Sequence, residues 1–78
     1  MTINKSEIKN KITSLIKGET TSISSDEIGK PAGFGIIIQR NKYQNQYPTF
    51  TVSQCGDMIG QNMSTNEVVD FVARESGI

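Results

Sequence analysis

Apolar residues recur every three or four positions at both ends of this chain and every second position in its middle. Near the start, Ile8, Ile12, Leu15 and Ile16 fall at i, i+4, i+7 and i+8. They form one stripe of a helix expected over Lys5–Lys17. Asn4 and Glu7 supply a capping box ahead of it, Ile3 and Ile8 a hydrophobic staple, and Gly18 stands at the expected C-cap. The same signature returns near the end. Ser64 and Glu67 form a second box, with Met63 and Val68 as its staple. A second helix over Thr65–Ser76 follows, with Val68, Val69, Phe71, Val72 and Ala73 on a broad apolar arc. Asp70 and Arg74 are placed to pair at i, i+4, and Gly77 with Ile78 fits a Schellman close.

Between the helices the period changes to two. Phe34, Ile36 and Ile38 share one face of a strand over Phe34–Arg40, and Gly35, Ile37 and Gln39 the other. A second strand over Thr49–Cys55 points Phe50 and Val52 inward and Thr49, Thr51 and Ser53 outward. Gly56-Asp57 marks a turn, and Met58-Ile59 opens a short third strand ending at Gly60 or Asn62. Residues 19–32 read mainly as a structured linker. Within it, Thr20–Ser24 suits an edge strand and Ser25–Gly29 a capped turn, before Pro31 stops any continuation. The fold class is therefore α+β: one small two-layer domain over residues 1–78, in the order α-β-β-(β)-α. An antiparallel meander carries both helices on one face. The expected core is Ile8, Ile12, Leu15, Ile16, Phe34, Ile36, Ile38, Phe50, Val52, Val68, Phe71 and Val72.

Composition narrows the chemistry. A 78-residue chain supplies about 3–5 kcal/mol from its core alone, and small domains draw on a disulfide, a metal or a second subunit for more. Cys55 is the single cysteine and there is no histidine. An internal disulfide is thus impossible and a zinc site poorly furnished. No cofactor is expected, and self-association is the help that remains. Eight Lys/Arg balance eight Asp/Glu, without the basic excess of nucleic-acid binders or the basic cluster of membrane-surface proteins. With no long apolar run and no signal-peptide pattern, the expected setting is cytoplasmic. Isoleucine, lysine and asparagine are frequent and arginine is scarce, a mix that fits an AT-rich coding genome.

Catalytic signals are weak. No histidine offers a base near neutral pH, and Cys55 lacks a histidine partner. Glu7 and Glu67 are taken by caps, and Asp26 and Glu27 are adjacent rather than opposed across a cleft. The expectation is that the chain is not an enzyme. Gly29–Gly35 is glycine-rich and holds Lys30, but it opens a strand, not a helix as a phosphate loop does. The αβββα order and length resemble the double-stranded-RNA-binding domain, as topology over most of the chain. That family carries a lysine cluster at the start of its second helix; the matching positions here are Ser64, Thr65, Asn66 and Glu67. The resemblance thus implies a fold without the RNA grip.

The segment best suited to recognition is the hairpin tip: Arg40, Asn41, Lys42, Tyr43, Gln44, Asn45, Gln46 and Tyr47. Tyrosine gives contact area at low entropy cost, and amides give adaptable hydrogen bonds. Ile37, apolar on the second strand face, is the candidate for self-association, by that face or by a strand edge. The expected function is a non-catalytic protein-interaction module, a subunit or inhibitor that occupies another protein's surface and self-associates. The alternative is weak single-stranded nucleic-acid binding by Arg40, Lys42, Tyr43 and Tyr47.

Overall fold

The computed structural model describes residues 4–42 and 48–77. Its elements are α1 (Lys5–Thr13), β1 (Thr20–Ile23), β2 (Ile36–Arg40), β3 (Phe50–Gln54), β4 (Asp57–Met63) and α2 (Thr65–Ser76). The four strands form one antiparallel sheet in the order β1-β2-β3-β4. The α+β class and the meander stand as expected. The sheet, however, has four strands, one more than the three-stranded plan of the double-stranded-RNA-binding domain.

Both helices start where their caps place them. Ser64 Oγ accepts from the Glu67 N–H at 3.2 Å, and Glu67 Oε1 accepts from the Ser64 N–H at 3.1 Å. Asn4 Oδ1 accepts from the Glu7 N–H at 2.9 Å, while the Glu7 carboxylate meets the Asn4 side-chain amide rather than its backbone. Ile3 and Ile78, parts of the expected staple and Schellman close, lie outside the described residues. Gly77 does take the left-handed C-cap conformation, at φ 77°.

α1 ends four residues before the expected Lys17. The hydroxyls of Thr13 and Ser14 bond back to the carbonyls of Lys9 and Lys11 at 2.7 and 3.0 Å, which favours a helix end over continuation. Arg40 Nη1 then donates to the Leu15 carbonyl at 2.6 Å. Ile16 therefore leaves the apolar stripe and is 66% exposed, not buried as its spacing implied. Gly18 keeps a left-handed φ of 82° but serves the entry to β1, donating to the Arg40 carbonyl at 2.9 Å.

The core is wholly apolar. Ile8, Ile12, Leu15, Ile23, Ile28, Ile36, Ile38, Phe50, Val52, Val68, Val69 and Val72 are buried together, with no polar or charged residue buried among the described residues. Phe71 and Met63 are half-buried at its rim. Phe34 is 43% exposed rather than core, because the sheet begins only at Ile36 and Phe34 sits on the Pro31–Gly33 turn. Ile23 and Ile28 fill the interior from the segment read as linker. A third capping pair holds Ile28 there: Ser24 Oγ accepts from the Glu27 N–H at 3.3 Å, and Glu27 Oε1 accepts from the Ser24 N–H at 3.1 Å.

β4 is longer than expected. Its seven residues answer five of β3, with register shifts between Phe50 and Val52 and between Val52 and Ser53. Two bulges absorb the surplus. Asn62, in the bulged stretch, takes a left-handed φ of 56°, and Met63 Sδ packs over Gly60, 2.7 Å from where a Cβ would stand. The β3–β4 loop is two residues, Cys55 (φ 55°) and Gly56 (φ 80°), both left-handed as a type I′ hairpin requires. Asp57 thus opens the strand instead of sitting in the turn.

Candidate functional site

The inward row of β2 and β3 is sealed beneath the helices, and the outward row is open. Pairing places Ser22, Ile37, Ser53 and Met58 side by side across all four strands, with Gln39 and Thr51 paired alongside. Ile37 is 51% and Met58 56% exposed. None of these six side chains is charged. An isoleucine and a methionine, one strand apart from adjacency, stand in a field of hydroxyls and an amide. Met58, which the sequence marks only as the start of a strand, comes to this face through the hairpin register.

At one end of the same face lies a shallow depression of about 420 Å³. It is lined by Gln39, Asn41, Lys42, Thr51, Gln61 and Asn62. Asn41 organises it: its amide donates to Thr49 Oγ1 at 3.0 Å and to Asn62 Oδ1 at 3.3 Å, and its carbonyl oxygen accepts from Thr51 Oγ1 at 2.7 Å. One side chain so joins three strands at the base of the β2–β3 connection. The lining offers amides, hydroxyls and one ammonium, with neither carboxylate nor imidazole.

The expected tip residues divide. Asn41 and Lys42 border the depression, Lys42 exposed and Asn41 half-buried. Tyr43, Gln44, Asn45, Gln46 and Tyr47 lie outside the described residues. Arg40 belongs to the fold instead of the tip. It is half-buried on the inward row, with its guanidinium on the Leu15 carbonyl and its backbone N–H donating to Glu19 O at 2.9 Å. Its Nε is buried without a partner. Sequence spacing could not show this, because α1 and β2 meet only in the folded chain.

The two sheet edges differ from the face. On β1, Lys11 Nζ donates to the outward Ser22 carbonyl at 3.3 Å and lies 3.6 Å from Glu27 Oε2. The Ser24 N–H, and with it the Ser24 hydroxyl and the Lys11 charge, holds the Glu27 carboxyl below the usual carboxylate range. On β4, the bulges bend the strand. Lys11–Glu27 is the one ion pair among the described residues. Asp70 and Arg74 do not close theirs, as exposed pairs gain little from holding one geometry.

Cys55 is exposed at the hairpin turn, its thiol donating to Gly33 O at 3.5 Å. Among the described residues no group of three His, Cys, Asp or Glu side chains is placed to hold a metal. No helix there is long and apolar enough to cross a membrane. No protein-family model, no curated protein and no solved structure matches the chain.

Proposed function

We propose that this chain is a non-catalytic protein-interaction module whose contact surface is the open face of its sheet. One observation carries the reading: Ile37 and Met58 stand exposed in a row that holds no charge. The centres of protein–protein interfaces are depleted of charged side chains and enriched in methionine and aromatics. Asn41, Lys42 and the depression beside them extend the surface with polar groups suited to an interface rim. Single-strand nucleic-acid binding draws less support. Arg40 is committed to Leu15, which leaves Lys42 as the one cation lining the depression, whereas phosphate tracks gather several.

Site-specific photo-crosslinking in cells tests the proposal. A benzophenone side chain at position 37 is expected to capture protein, and the same group at Asp70, exposed on the helix layer, is not. Equal capture from both positions, none from position 37, or nucleic acid in the adduct overturns it.

A further inference from the structure

We infer that the partner on the open face is a second copy of this chain, packed sheet to sheet about a two-fold axis; this rests on the proposed use of that face. Three observations converge on it.

The first is charge. Eight basic and eight acidic residues are spread over the chain, yet Ser22, Ile37, Gln39, Thr51, Ser53 and Met58 include none. A partner chosen by complementary charge has nothing to read here. The central row is complementary to itself, because its own copy brings no like charge against it, and Lys42 stands at the end of the face, on the rim. In a two-fold contact each pairing occurs twice, so Ile37 covers Met58 of the partner copy while Met58 is covered in return.

The second is the state of the edges. Strand-to-strand addition needs a free, regular edge. Lys11 occupies an outward carbonyl of β1, and its ion pair with Glu27 sits over that edge. β4 carries two bulges, which twist it out of register with any straight strand. Self-association through an edge, one of the two routes open to the sequence, is thus obstructed on both sides, and the face is the route left.

The third is size. The molecule is a slab of 34 × 25 × 16 Å, one sheet and one layer of helices thick. Four strands about 4.8 Å apart and about five residues long make a face of roughly 300–400 Å², below the roughly 800 Å² that each partner gives a standard interface, so a contact here takes the whole face and is small. Two sheets stacked about 10 Å apart would make a helix–sheet–sheet–helix sandwich. Among the described residues the row across the four strands holds two exposed apolar side chains, Ile37 and Met58, so the dimer is expected to be weak, with a micromolar dissociation constant, and to exchange readily.

Sedimentation equilibrium from about 1 µM to about 1 mM reads this directly. The expected result is a monomer–dimer equilibrium whose constant changes less than about twofold between roughly 50 and 500 mM salt, since the central row carries no charge. Ile37→Glu is expected to weaken it by about 100-fold or more by burying a carboxylate against its own copy. Circular dichroism checks that this variant keeps its fold. Ile37→Thr, which retains a β-branched strand former, is expected to weaken the dimer about tenfold. A monomer throughout the range, a dimer that survives both substitutions, or a strongly salt-sensitive dimer overturns the inference. A monomer that still crosslinks to a different protein through position 37 removes the second copy and leaves the interaction module standing; a monomer without such capture removes both.

Discussion

Ile37 and Ile38 are neighbours in β2 and live in different solvents. Ile38 is wholly buried and Ile37 half-exposed. Ile38 is paired on one side with Thr21 and on the other with Val52; Ile37 is paired with Ser22 and Ser53. The contrast teaches that hydrophobicity alone does not assign a residue to the core. The face its strand position gives it does, and Ile37 lies on the face where its cross-strand neighbours are Ser22 and Ser53.

The sharpest way to break that comparison is to place the same charge on both sides. Ile38→Glu is expected to unfold the domain, because an unpaired buried carboxylate together with the lost packing exceeds about 4 kcal/mol. Ile37→Glu is expected to change monomer stability by less than about 1 kcal/mol. Thermal melts followed by circular dichroism, at concentrations too low for association, compare the two. Next in size is Arg40→Ala, expected to cost about 2 kcal/mol because the charged donor to the Leu15 carbonyl is lost. Its effect should appear in a melt while any surface function that tolerates the temperature persists.

Cys55→Asn works in the other direction. Asn tolerates the left-handed conformation that Cys55 holds at φ 55° and precedes Gly56 in the order type I′ turns prefer, so a gain of about 0.5–1 kcal/mol in urea unfolding is expected. The smallest effect belongs to Glu27. Its pKa is lowered in the folded state, so its contribution is present above the ordinary carboxylate range and is lost as the pH falls through the depressed folded value. Glu27→Gln should flatten that acid limb of the stability profile, by less than about 1 kcal/mol because the pair is partly exposed.

What the sequence disclosed was what short stretches decide for themselves. The bounds of α2 follow from Ser64, Glu67 and Gly77, and the facing of β2 and β3 follows from period two. What it hid depended on distant partners. The early end of α1 involves Arg40, 25 residues beyond Leu15. The burial of Ile23 and Ile28 needs a capped turn inside a polar stretch. The length of β4 needs bulges that only its pairing with β3 reveals. The candidate site was legible in part: Ile37 could be placed on an outward face, but Met58 joins it only through Ser53 in the finished sheet, and Arg40 could not be seen to turn inward.

Met58 and Met63 emerge on opposite sides of β4, one beside Ser53 and the other opposite Phe50. The surplus of β4 over β3 between them is taken up one residue at a time, at two separate register shifts, and not as a pair. Deleting Ile59 would leave Met58 opposite Ser53 and bring the residue after it directly opposite Val52, so one bulge would close and the inward and outward rows would keep their sides. Along this stretch, length change is tolerable in single steps as long as a bulge is there to absorb it.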